Sequence, residues 1–502
     1  VEFYDGTGRL QLTATTRDEA GPVFSAYSPP GDARGPAVYA NYGRAQDLRL
    51  LELQGLSLRG KVLLVRLGQI PAATKARLAE TRGAAALVLF PDPARVAPPR
   101  GDQEPWPSSR WLPDSAARRD TLLEEPGDPL SPGVPSSSPV AKLPLRNASL
   151  PAILCQPVGY RDALIMLGQL EGNRCPDAWV PSSGRCRLGD GTARNSIRVV
   201  VQNELMSGNV TNVLATIRGH IEPDRYVVLG SPRDGWGPGA HAPGSGTVQL
   251  LEASRVLSEL HRSGTWSPRR SIVFASWGGH RYGSIGATEW VEEQVNELQS
   301  GAVAYINCHQ CTDGGTAFQP SASPSLSGSL KQVASLIQVN GKTLLDAWTN
   351  GTLDEPPRPR LLSGERDYAP FAFFAGIPAI DIAFSTPGDD AQGPAGNHPA
   401  YGTTYDRLDF VEQFLDPGLK SQKLCAQLTG SLAQLWADAA LLPYDLPQLA
   451  RDMRMALAQL DRRHQAQLRT LRLSLAPLEK ALEEFAEATR NWTHAAEGSA
   501  SQ

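Results

Sequence analysis

The chain has 502 residues, 41% of them hydrophobic, and a formal net charge of −4, which is enough apolar material for a large core and more than one domain. The near-neutral balance, with no basic cluster, gives no support for nucleic acid as a partner, and none is expected. No run of about 18 apolar residues is present to span a membrane, and six cysteines are too few for a disulfide scaffold at this length.

The chain opens on Val1-Glu2-Phe3-Tyr4 without the charged start and apolar stretch of a signal peptide, so a fragment or a processed product is expected. Residues 1–22 read as strand-like, with Leu10, Leu12 and Ala14 alternating against polar neighbours. Further strands are predicted at 37–43, 60–66 and 85–90, with a helix over 72–82 between the last two. Residues 91–139 are rich in Pro, Ser, Asp and Arg, a composition that predicts a long exposed loop. Cys175 and Cys186 flank a Pro/Ser/Gly loop and are the predicted disulfide, the alternative being two separate thiols.

The sheet signal resumes at 197–201. Short apolar runs at 226–229, 271–275 and 303–306 then alternate with helix-like stretches at 247–261 and 285–298. That alternation predicts a parallel, doubly wound α/β sheet, whose chemistry gathers just past the carboxyl ends of the strands. The segments that matter are therefore 231–246, 276–283 and 307–313. After Pro447 apolar residues recur at helical spacing, first Leu449, Met453, Leu457 and Leu460, then Leu478, Leu482 and Phe485. A packed helical hairpin is expected there, not a membrane-binding stretch.

The wording of these segments is specific: Gly230-Ser231-Pro232-Arg233-Asp234-Gly235-Trp236, Phe274-Ala275-Ser276-Trp277, Gly286-Ala287-Thr288-Glu289-Trp290, Ala304-Tyr305-Ile306-Asn307, Asp367-Tyr368-Ala369-Pro370-Phe371 and Leu415-Asp416-Pro417-Gly418. It resembles the family of glutamate carboxypeptidase II, its dipeptidase-like relatives and the transferrin receptors, over roughly residues 23–485. The resemblance implies a doubly wound zinc-peptidase-like sheet, an inserted protease-associated (apical) β-rich domain and a truncated C-terminal helical domain. The implied domains are a leading segment of the protease-like domain at 1–22, the apical domain at 23–195, the peptidase-like domain at 196–444 and the start of a helical dimerisation-type domain at 445–502.

Active members of that family hold two zinc ions, which generate a hydroxide and polarise the scissile carbonyl while a Glu moves the proton. Carried over residue by residue, the first His ligand falls on Pro232 and the bridging Asp on Ala242. The general base and the ligand beside it fall on His280 and Arg281, the next Asp on His309 and the last His on Gly402. The two Arg residues that hold an acidic substrate fall on Asp381 and Ala383. The resemblance therefore implies an inactive homologue without zinc, serving as a cell-surface or secreted binding protein. An alternative is an active metallopeptidase with an unorthodox zinc site drawn from His241, His280, His309, Cys308 and Cys311, with His398 as a further candidate ligand. Others are a transferrin-receptor-like iron uptake protein and a truncated, non-functional paralogue.

A structural calcium ion is a further implication, held by Glu289 and Glu292 against the loop that carries Ser131 and Val134, since carboxylate and carbonyl oxygens suit that cation. Sequons at Asn147, Asn209, Asn350 and Asn491 fit passage through the secretory pathway and an extracellular location. The expected partner is a protein ligand at the cell surface. A homodimer is in doubt because most of the helical domain lies beyond Gln502.

Overall fold

The computed structural model describes residues 1–14, 16–92, 104–137, 139, 142–181, 186–192, 194–349, 358–364, 366–385 and 398–500. Two sheets organise the chain. The first has seven strands, in chain order β1 (Glu2–Tyr4), β2 (Leu10–Thr13), β3 (Gly31–Tyr39), β4 (Val62–Arg66), β5 (Ala86–Phe90), β6 (Leu154–Pro157) and β7 (Ser196–Val201). Their spatial order is β6-β5-β4-β3-β7-β1-β2. Every residue of β4 and β5 is buried, as parallel strands covered on both faces require. Helices α1 (Ala45–Leu53), α2 (Ala72–Glu80) and α3 (Tyr160–Gly168) supply that cover through Leu48, Leu51, Ala76, Ala79, Ala163 and Met166.

This sheet corrects two expectations. Residues 1–22 were assigned to the protease-like domain, yet β1 pairs with β2 and β7, and β7 pairs with β3. Both ends of the apical segment are thus stitched into its own sheet, and the strand at 196–201 belongs there too. The second correction concerns 91–139. Residues 93–103 fall outside the described residues, but from Ser109 onward the chain is anchored: Trp111, Leu112, Ala116, Ala117, Leu122 and Leu123 are buried. Arg119 donates to Asp18 and to the carbonyls of Gly21 and Pro22. Composition misleads here because a handful of apolar side chains, one multiply bonded Arg and a two-residue strand, Asp120–Thr121, paired with Ser25–Ala26 hold the Pro-rich segment in place.

The second sheet contains β8 (Val213–Ile217), β9 (Glu222–Pro232), β10 (Arg270–Trp277), β11 (Ala302–Asn307), β12 (Ser321–Ala322) and β13 (Ala379–Asp381). Its order is β8-β10-β9-β11-β13-β12. The inner strands are parallel and the two edges antiparallel, so the doubly wound reading holds. Helix α4 (Gly244–Arg262) crosses from β9 to β10, and α5 (Ile285–Glu293) with α6 (Val295–Gly301) leads to β11. Later helices α7 (Ser327–Leu336) and α8 (Lys420–Asp438) cover the same face as α4, burying Leu330, Val333, Leu428, Leu432 and Trp436.

Two disulfides lie among the described residues. Cys175–Cys186 is formed as predicted. Cys311 pairs with Cys425, 114 residues away, tying the loop after β11 to α8. Helices α9 (Leu446–Thr470) and α10 (Ala476–Ala500) form the expected hairpin, with Leu457 and Leu482 buried. Among the described residues no helix is long and apolar enough to cross a membrane.

Candidate functional site

The carboxyl ends of β9, β10 and β11 converge as the strand pattern predicts, and five of the six transferred positions lie at or just beyond them, Gly402 arriving from a later loop. Pro232 ends β9. A single 3₁₀ turn, His280–Tyr282, follows β10, between Gly279 at φ 68° and Gly283 at φ 106°. Those left-handed angles reverse the chain quickly enough to bring His280 and Arg281 back over the sheet. Asp234 fixes the turn by accepting from the amides of His280 and Arg281, both at 2.9 Å. Asp406 performs the same service on the other side, accepting from the amides of His241 at 2.8 Å and Ala242 at 3.1 Å.

Four buried imidazoles occupy the space, in two pairs. His280 Nε2 lies 2.9 Å from His309 Nε2, and His280 Nδ1 lies 2.8 Å from Asp367 Oδ1. The guanidinium of Arg366 contacts His309 Nδ1. A guanidinium can only donate and a carboxylate can only accept, so the directions are fixed. Arg366 donates to His309 Nδ1, His309 Nε2–H donates to His280 Nε2, and His280 Nδ1–H donates to Asp367. Both rings are neutral, and none of their four nitrogens keeps a free lone pair. Burial, then the charge of Arg366, holds His309 well below the usual imidazole range. In the second pair His241 Nε2 contacts the Thr312 carbonyl, and His241 Nδ1 accepts from His398 Nε2 at 2.9 Å.

These residues do not fit the family's paired zinc ions. Pro232 and Ala242 carry no donor atom, and Arg281 brings a cation. Gly402 has φ 73°, and a Cβ there would meet the Arg119 carbonyl at 2.8 Å, so no histidine fits that backbone. The unorthodox zinc set is corrected as well: Cys311 is consumed by its disulfide. Cys308 is a buried thiol whose pKa burial pushes up to about 12, and it sits beside Thr429 at 3.8 Å, with no imidazole partner. His280, His309 and His241 spend their ring nitrogens on protein hydrogen bonds. Among the described residues no group of three His, Cys, Asp or Glu side chains is arranged to hold a metal.

Asp381, at one of the transferred substrate-arginine positions, is an internal residue. Asn307 donates to it at 2.7 Å, and Arg366 Nε lies 3.4 Å away. Arg366 and Asp367 are the functional residues that motif reading missed; their only signal was the Asp-Tyr-Ala-Pro-Phe wording, which names no role.

The calcium candidates are brought together. Glu289 accepts from the amides of Asp128 at 2.7 Å and Ser136 at 2.6 Å, and Glu292 accepts from that of Gly133 at 2.9 Å. Ser131 is buried in the same loop and Val134 caps its turn. The second oxygen of Glu292 is buried without a partner. Burial, then the charge of Glu289, pushes the Glu292 carboxyl up to about 7. Of the sequons, Asn147, Asn209 and Asn491 are exposed, and Asn350 lies outside the described residues.

Family models match in two places, one for the PA domain at residues 21–119 and one for peptidase family M28 at residues 212–415. The chain belongs to peptidase family M28 and carries a PA domain. Its similarity extends to aminopeptidase NAALADL1 of Rattus norvegicus, 36% identical over 92% of this chain and 64% of the relative. Probable glutamate carboxypeptidase AMP1 of Arabidopsis thaliana is 34% identical over 92% and 62%, and transferrin receptor protein 2 of Mus musculus is 33% identical over 89% and 54%. The chain spans between about half and two thirds of the length of these relatives. They include peptidases and a receptor, so membership of the family alone does not choose between the two.

Proposed function

We propose that this chain is a catalytically inactive member of family M28 that works as a binding, receptor-like protein at the cell surface or in secretion. The observation that carries the reading is the hydrogen-bonded chain Arg366, His309, His280, Asp367, which spends every ring nitrogen of the two histidines standing where a base and a ligand would be. A general base needs a free acceptor within reach of its proton, and His280 has none. The similarity to transferrin receptor protein 2, a receptor by name, is consistent with this role.

The test is hydrolysis. Purified protein, given zinc and offered acidic and unblocked dipeptides, is expected to show no turnover that a chelator abolishes. His309→Asp is expected to remain inactive too, because Pro232, Ala242 and Gly402 still supply nothing. Chelator-sensitive turnover by either protein would overturn the reading and favour the unorthodox site.

Calcium belongs to the same proposal. Glu289, Glu292 and the loop at 128–136 present hard oxygens, one of them a buried carboxylate oxygen without a partner, and that donor set suits calcium. The ion would tie the apical segment to α5 and neutralise two adjacent carboxylates.

A further inference from the structure

We propose that the cleft left over the β-strand ends is a carboxylate-binding site, with the buried Arg281 guanidinium as its anchor and a monoanion bearing an apolar tail as its ligand. The proposal rests on the inactive reading above and gives that reading a ligand class.

Arg281 is 3% exposed. Its Nε donates to the Asp234 carbonyl at 3.3 Å and its Nη1 to the Tyr401 hydroxyl at 2.7 Å. Its Nη2 is buried with no hydrogen-bond partner. Both established contacts are to neutral oxygens. A buried guanidinium without a facing carboxylate is costly, and its planar fork is shaped for one. The neighbouring cations are already answered, Arg118 by Asp120 at 3.0 Å and Arg366 by Asp381 at 3.4 Å. The buried Asp406 carboxylate shares the field of Arg281, but its oxygens are taken by the amides of His241 and Ala242, so Arg281 Nη2 is left as a buried donor with no acceptor facing it.

Arg281 lines a cleft of about 130 Å³ between the apical segment and the peptidase-like sheet. Leu67, Ile70, Leu123 and Trp236 form its apolar wall, and Asp120, Glu124 and Glu125 also line it. The wall suits a short apolar group. Asp120 is paired with Arg118 and Glu124 with Arg77, and a single guanidinium with an open donor matches one negative charge better than phosphate or the acidic dipeptides that other family members take. A carboxylate with an apolar tail, either a free acid or the C-terminus of a peptide, satisfies all of these features.

The experiment is calorimetric titration of the whole chain with 3-phenylpropionate, its amide, inorganic phosphate, and a short peptide ending in Leu with a free or an amidated terminus. The carboxylate is expected to bind at least about tenfold more tightly than its amide, because the charge-assisted bonds are lost in the latter, and phosphate is expected to bind more weakly still. Arg281→Met should lose at least about tenfold, with Arg281→Lys between the two. Tighter binding of the free-terminus peptide than of the small acid identifies a peptide terminus as the ligand, and the reverse identifies a free acid.

Equal affinity for carboxylate and amide, no binding by either, or undiminished binding by Arg281→Met would overturn the proposal. Should the variants fail to fold, the carboxylate and amide comparison stands on the unmodified protein. Protection of Arg281 from phenylglyoxal, located by mass spectrometry, is then expected from the carboxylate and not from the amide. Zinc-free protein that ignores carboxylates removes this inference and leaves the inactive reading intact, whereas stoichiometric zinc removes the reading itself.

Discussion

Replacing Arg366 by methionine is expected to cost about 3 to 5 kcal/mol of unfolding free energy near neutral pH, the scale for breaking one half of a buried ion pair. Arg366 and Asp381 are both buried, Arg366 Nε lies 3.4 Å from Asp381 Oδ2, and the same guanidinium terminates the histidine chain at His309 Nδ1. Its loss leaves a carboxylate in the sheet interior, to which the Asn307 amide still donates, and takes from His309 Nδ1 its Arg366 donor.

The sign of the pH dependence follows. Burial raises the Asp381 carboxyl and Arg366 opposes that rise, so removing Arg366 raises it further. A raised carboxyl favours folding while protonated, and that contribution is lost as pH climbs through its folded value. The penalty in Arg366→Met should therefore shrink as the pH is lowered, and Asp381→Asn in the same background should recover much of it. Denaturant melts of the four proteins in that cycle check the coupling. A loss under about 1 kcal/mol with no dependence on pH would mean that this cluster does not hold the site together.

Calcium is expected to raise the melting temperature of the unmodified protein by an amount equivalent to about 1 to 3 kcal/mol when well above its dissociation constant. Without calcium, Glu292 stays protonated up to about pH 7 in the folded state, so its contribution to stability is present at low pH and is lost as pH rises through that value. Calcium takes the place of the proton, and its effect should be larger at about pH 8 than at pH 5. Glu289→Gln with Glu292→Gln should abolish both the calcium response and this part of the pH dependence. A melt indifferent to calcium and chelator would show that the two carboxylates serve only to accept the amides of Asp128, Gly133 and Ser136.

The central sheet was legible because its strands are continuous apolar runs, and the crossover helices because their apolar spacing is regular. The site's location followed from the topology. Its chemistry did so only in part. Pro232, Ala242 and Gly402 announce a loss by residue type alone, but what replaced the ligands depends on Arg366 and Asp367, 57 and 87 residues from the histidines they meet. Nothing local marks such a pairing. The Cys311–Cys425 bridge was hidden for the same reason, and Cys311 looked like a thiolate ligand because Cys308 and His309 stand beside it in sequence. The segment from Ser109 to Leu123 was misread because composition averages over the few residues, Trp111, Arg119 and Leu122 among them, that anchor it.

The most direct test is the zinc content of the protein, purified from cells grown with ample zinc and measured by native mass spectrometry. The account predicts less than one zinc per chain, unchanged when His280 and His309 are both replaced by alanine. Two zinc ions per chain, lost in that double variant, would contradict it.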